Sequence, residues 1–135
     1  MNGKTAPPIL VIGGTGTQGG NVARELLKHG HRVRVFTRNP ESPAAEQLEQ
    51  QGAEVVSGDL GDPVTLVPAM KGVSAMFSAQ YSDPNDPSLE LRHTFNMVRA
   101  AQETGVQQVM HTSVVGTHIF PRWDKSPIFL FGQGL

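Results

Sequence analysis

The chain has 135 residues, with 11 basic and 12 acidic side chains and no cysteine. That length suits one domain with one core. The balanced charge excludes the basic footprint of a nucleic-acid binder, and the lack of cysteine excludes disulfides and thiolate zinc sites.

No targeting segment is expected at either end. MNGKTAPP has no apolar stretch, and IFLF near the other end is far too short to span a bilayer. The expectation is a cytoplasmic protein that neither enters a membrane nor binds nucleic acid directly.

Five runs rich in β-branched residues read as strands: residues 9–13 (ILVIG), 31–38 (HRVRVFTR), 53–58 (AEVVSG), 74–79 (SAMFSA) and 106–116 (VQQVMHTSVVG). The first and fifth are apolar at nearly every position, as strands buried on both faces should be. Segments of helical spacing lie between them. In the first, Val22, Ala23, Leu26 and Leu27 share one face. Each helical segment stops at a glycine, at Gly30, Gly52, Gly72 and Gly105, where a left-handed residue ends a helix. Asp62-Pro63 and Asp86-Pro87 read as helix starts, with an N-cap acceptor before a proline in the first turn.

Strand, helix, glycine and strand, repeated, is the pattern of right-handed βαβ crossovers. The expected fold is α/β: a Rossmann-type parallel sheet of order 3-2-1-4-5, helices on both faces, incomplete at its C-terminal end. Residues 1–135 form a single domain in this reading.

Between the first strand and first helix lies GGTGTQGG. It satisfies Gly14-x-Gly16-x-x-Gly19, the dinucleotide fingerprint, and Gly13-x-x-Gly16-x-x-Gly19, its short-chain dehydrogenase variant. Position after a strand and before a helix makes the match informative. Such glycines allow a tight turn, let backbone approach a pyrophosphate at Gly16, and let the helix pack closely on the sheet at Gly19. The helix N-terminus supplies free amides to the anion. The competing reading is a purely structural turn. A Walker A loop is excluded, because no Lys-Ser or Lys-Thr follows at the needed offset.

The second strand ends in Thr37, Arg38 and Asn39. NAD-binding proteins place a carboxylate there for the ribose 2′-hydroxyl. Arginine instead offers a forked, permanent charge to a 2′-phosphate, so NADP(H) is expected over NAD(H). The plainer alternative is a solvated arginine at a strand end.

Residues 11–40 (VIGGTGTQGGNVARELLKHGHRVRVFTRNP), 52–60 (GAEVVSGDL), 69–73 (AMKGV) and 111–116 (HTSVVG) together resemble the NmrA-like family. These atypical short-chain dehydrogenase relatives include NADP-sensing regulators and, more distantly, isoflavone-reductase-like and quinone-reductase-like enzymes. The resemblance runs over about residues 9–116 and leaves a divergent tail, residues 117–135. It implies that Gly13, Gly14, Thr15, Gly16, Thr17, Gln18 and Gly19 hold the pyrophosphate. It implies further that Arg38 and Asn39 meet the 2′-phosphate and that Asp59 and Leu60 border the adenine. Ala79, Gln80 and Tyr81 would line the cofactor at the switch point, and Ser113 corresponds to the serine of a dehydrogenase site. Asp59 also suits a turn cap, Ser113 a bond to its own backbone, and Tyr81 a cover for the sheet edge.

The pattern breaks in two places. No Tyr-x-x-x-Lys exists to supply a proton donor, since the one tyrosine, Tyr81, is followed by Ser-Asp-Pro-Asn. The tail begins like the family with Trp123, Asp124 and Lys125, then turns to SPIFLFGQGL, where Pro127 and two glycines suit a helix poorly. A truncated member without the substrate lobe is therefore expected. The five histidines show no ligand spacing, so no metal is expected. The favoured function is an NADP(H)-binding redox sensor acting through protein partners, or associating through its fifth strand and tail. The rivals are an NADPH-dependent reductase assisted by Ser113 and Lys125, and a fragment that neither binds nor catalyses.

Overall fold

The computed structural model describes residues 6–79, 85–86 and 88–112. Five strands, β1 (Ile9–Ile12), β2 (Val33–Thr37), β3 (Glu54–Ser57), β4 (Ala75–Ala79) and β5 (Gln108–Thr112), alternate with four helices. The helices are α1 (Thr17–Lys28), α2 (Pro43–Gln50), α3 (Pro63–Met70) and α4 (Leu89–Thr104). All strand pairs are parallel, in the order β3-β2-β1-β4-β5. The expected α/β architecture is the one observed.

The strands' period of two sorts side chains into two layers. Leu10, Ile12, Phe36 and Met76 pack on one face with Leu66, Met70 and Met97 of α3 and α4. Val11, Val33, Val35 and Phe77 pack on the other with Ala23 of α1 and Leu48 of α2. Val22, Leu26 and Leu27 flank that second cluster, as the spacing of the first helix required.

The turns obey the glycine rule. Gly30, Gly52, Gly72 and Gly105 all have φ between 78° and 110°. Asp62 caps α3 by accepting from Val64 N, with Pro63 in the first turn. The corresponding expectation at Asp86 needs correction. Ser88 is the N-cap of α4, and Asp86 instead accepts from Ser88 Oγ at 2.9 Å and from the Arg92 guanidinium at 2.7 Å. A carboxylate with an arginine six residues on, in the first turn of the helix, is drawn into that ion pair rather than onto backbone amides, and Arg92 holds it below the usual carboxylate range. Pro87 lies outside the described residues.

The fifth strand also differs from its reading as a strand covered on both faces. Among the described residues β5 stands at the sheet edge, as the expected order 3-2-1-4-5 requires, but its Met110 is 62% exposed rather than covered. An apolar composition alone does not distinguish an edge strand from a central one. Arg34 of β2 draws β3 and α3 together: Nε donates to Glu54 Oε2 at 2.9 Å, and Nη1 to the carbonyls of Ala69 and Lys71. It thereby satisfies carbonyls at the end of α3, which no amide of that helix can reach. Among the described residues, no helix is long and apolar enough to cross a membrane.

Candidate dinucleotide site

The glycine turn leaves β1 at the C-terminal edge of the sheet. Ile12 pairs with Ser78, which puts Gly13 opposite Ala79. Gly13 takes φ +85°, and a Cβ there would overlap the Ala79 carbonyl oxygen. One position later, a Cβ on Gly14 would lie 2.8 Å from Val35 Cγ1 of β2. The turn therefore lies flat against both neighbours of β1, and only glycine fits there.

Gly19 has a role that spacing did not reveal. A Cβ on it would overlap the carbonyl oxygen of Gly13, so the first turn of α1 packs on the loop's own backbone rather than directly on the sheet. Gly16 is different. Its amide donates to Gly13 O at 3.0 Å, and a Cβ would find only that oxygen, at 3.4 Å. It is exposed, and as the N-cap of α1 it has no side chain to satisfy the helix's first amides. Thr15, Thr17 and Gln18 are exposed around it, and no acidic residue stands in the first turn of α1. Uncapped amides and the positive end of the helix dipole thus meet at an open position, the arrangement an anionic phosphate needs.

Gln18 reaches further than its place in the motif suggests. Its Oε1 accepts from Thr112 Oγ1 at 3.2 Å, and the same hydroxyl lies 3.4 Å from Ser78 O. The start of α1 is so joined to the end of β5. Thr112 was missed in the sequence, although it stands inside the HTSVVG motif that carried the resemblance.

At the end of β2, Arg38 is exposed and makes no hydrogen bond or ion pair with another described residue. Asn39 is engaged locally, its Oδ1 accepting from Glu41 N at 3.2 Å. Past β3, Asp59 caps its own turn, accepting from Gly61 N at 2.8 Å, which is the plainer of its two readings. Leu60 leans on the α3–α4 core, and its carbonyl accepts from Asn96 Nδ2 at 2.9 Å. Ala79 is half-buried beside the glycine turn. These residues gather along one edge of the sheet, where open α/β sheets bind ligands. Gln80, Tyr81, Ser113 and Lys125 lie outside the described residues, as does the tail.

Beneath β4 and β5 lies a buried polar layer of Ser78, Glu90, Thr94 and His111. Ser78 pairs in register with His111, so both face α4, and Ser78 Oγ donates to Met97 Sδ at 3.4 Å. His111 Nε2 stands 3.6 Å from Glu90 Oε1, beyond hydrogen-bond reach. Burial lowers the His111 pKa more than the Glu90 carboxylate raises it. The unfolded chain, with an ordinary value near 6.5, then binds this proton more readily than the folded one. Stability should be intact above about pH 6.5 and should fall as the pH drops through that value towards the folded-state pKa. Urea unfolding at pH 7.5 and 5.5 is expected to show the loss, and His111→Leu to reduce it. An equal loss in both proteins would assign the acid sensitivity elsewhere.

The chain is similar to known proteins over most of its length. Residues 5–129 match the NmrA-like family. An NmrA-like family domain-containing oxidoreductase of an Aspergillus species is 39% identical over 125 residues, covering 87% of this chain and 37% of that protein. The photosystem II assembly factor Ycf39 of Synechocystis is 31% identical over 119 residues, covering 84% and 36%. In three dimensions the chain resembles the triphenylmethane reductase of Citrobacter in its complex with NADP(H). The TM-score is 0.65 at 33% identity, over 78% of this chain and 37% of that one. The chain thus spans little more than a third of the length of these relatives. Its glycine turn, strand order and match along nearly the whole sequence have one common explanation: the chain belongs to the NmrA-like family.

Proposed function

We propose that this chain binds NADP(H) in preference to NAD(H) and acts as a nucleotide sensor rather than as a catalyst. The observation that carries the reading is the open, uncapped start of α1 at Gly16, on the same sheet edge as an Arg38 that is bonded to no other described residue. Pyrophosphate sits on the amides of residues 13–19, and the guanidinium meets the 2′-phosphate. In this reading Asn39 joins Arg38 at the 2′-phosphate, Asp59 and Leu60 border the adenine, and Ala79, Gln80 and Tyr81 line the cofactor at the switch point. Occupancy would be passed to protein partners in the cytoplasm.

Binding without turnover follows from the chemistry of hydride transfer. A carbonyl or quinone oxygen that receives a hydride needs a positioned proton donor, and the chain has no Tyr-x-x-x-Lys to supply one. Calorimetry with NADPH is expected to give one site per chain, with no loss of NADPH absorbance across a panel of quinones. Steady oxidation that disappears in Ser113→Ala would favour the reductase reading. That second reading has support of its own, because the Aspergillus relative is named an oxidoreductase and the Citrobacter neighbour a reductase.

The outer edge of β5 supplies the contact with partners or with a second copy of the chain. An edge strand with an apolar side chain as exposed as Met110 is a template for pairing. Sedimentation at tens of micromolar is expected to show association that Met110→Lys weakens. A clean monomer at that concentration would remove β5 as an interface.

A further inference from the structure

His93, in the second turn of α4, belongs to no nucleotide-binding motif, yet the fold carries it to the same edge of the sheet. Thr37 pairs with Ser57, so Arg38 and the turn of residues 58–61 leave β2 and β3 side by side. Helix α4 starts from that edge and packs against α3. Asn96 ties it to the turn through the carbonyl of Leu60 at 2.9 Å. A Cβ on Gly61 would stand 3.3 Å from Asp59 Oδ1 and 3.7 Å from His93 Nε2, which places the half-buried imidazole beside the turn. An open groove of about 590 Å³ runs beside it, lined by Gly61, Leu89, Arg92, His93 and Asn96 among others.

We propose that His93 is a specificity-determining residue for the adenosine end of the cofactor. With Arg38 it supplies the positive charge that meets the ribose 2′-phosphate, taking one proton from solvent as NADP binds. The inference rests on the reading of the glycine turn as a dinucleotide cradle. Arg92 is already committed to Asp86 and cannot serve the same purpose. Four charged groups act on the imidazole: Asp59 and Asp86 favour its protonated form, and Arg92 and Arg38 oppose it. Burial opposes it most, and the net pKa lies below the ordinary 6.5. At pH 7 the ring is therefore predominantly neutral, and a phosphate dianion beside it reverses the balance. A bound NAD carries no such charge at the 2′ position and leaves the ring neutral.

The consequence is a pH dependence specific to one cofactor. Proton uptake makes NADP affinity rise as the pH falls, whereas protonation of the phosphate itself, near pH 6, works in the opposite direction. Calorimetry on the full chain between pH 8 and 6.5 is expected to show NADP⁺ affinity rising roughly three- to tenfold, with NAD⁺ affinity flat. In His93→Gln the NADP⁺ slope should disappear. The same slope in that variant, or a parallel slope for NAD⁺, would overturn the inference. A measurement on the unmodified protein guards against a variant that misfolds: in an NMR titration, the His93 pKa should rise with saturating NADP⁺ and not with NAD⁺. An unchanged pKa would also overturn the inference. Absence of any nucleotide binding would remove the cradle reading along with it, whereas NADP⁺ binding without the slope removes the role of His93 alone.

Discussion

Alanine at Gly13 or Gly19 is expected to remove much of the chain's stability, whereas alanine at Gly16 is expected to leave it folded but to weaken NADP binding at least tenfold. At Gly19 the new methyl meets the backbone of residues 13 and 14, which cannot rotate away as a side chain would. Overpacking of this kind costs about 1–3 kcal/mol where neighbours can shift, and more where they cannot. Gly13 adds a left-handed backbone, worth roughly 1–3 kcal/mol for any other residue, to an overlap with the Ala79 carbonyl. Against a typical total of about 5–15 kcal/mol, either change removes much of the margin. At Gly16 the φ of −86° suits alanine, and the nearest contact of its Cβ is an oxygen at 3.4 Å. The loss there is that of a poor N-cap, about 1 kcal/mol. The methyl projects where a phosphate must approach, so NADP affinity should fall tenfold or more. Urea unfolding and calorimetry on the three variants test the division. Gly16→Ala binding as tightly as the parent would show that the open position is not the phosphate site.

Replacing Arg38 with aspartate should reverse the cofactor preference. In the parent, the guanidinium is exposed and bonded to no other described residue, so its release from an internal pair costs nothing when a phosphate arrives. A charge-assisted hydrogen bond is worth about 1.5–3 kcal/mol, and solvent screening at an exposed site keeps the lower end, roughly tenfold in affinity. Aspartate removes that attraction, repels the 2′-phosphate and offers an acceptor to the 2′-hydroxyl of NAD. The two effects together should move the NADP⁺ to NAD⁺ affinity ratio by a hundredfold or more. Competition between the two cofactors, measured by calorimetry, gives the ratio directly. Equal affinities in the unmodified protein would show that Arg38 takes no part in the choice.

Binding only to the folded chain, NADP should also raise the melting temperature of the parent, and NAD should raise it less. That shift offers a rapid screen for the Gly16 and Arg38 variants before calorimetry.

Much of the fold was legible in the sequence because its signals are local. A strand buried on both faces reads as an unbroken apolar run, and a helix that must stop before the next strand shows a glycine at its end. Parallel strands joined by right-handed crossovers then leave few orders open, and the glycine turn after the first strand marks where the sheet opens to a ligand. Arg38 was legible for the same reason, as the residue that follows β2 whatever the rest of the chain does.

What only the tertiary structure decided concerns residues far apart in sequence. The clash that reserves Gly13 for glycine comes from Ala79, 66 positions away, because β1 and β4 are neighbours. Gln18 meets Thr112 only because β4 alone separates β1 from β5 in the sheet. Asp86 reads as an N-cap until Arg92 is seen to claim it, and the apolar composition of β5 could not say that Met110 would stand exposed. His93 carried no spacing signal at all. Its place beside the Asp59 turn is set by the packing of α4 on α3, and packing depends on which faces are buried together rather than on any one residue's neighbours in the chain.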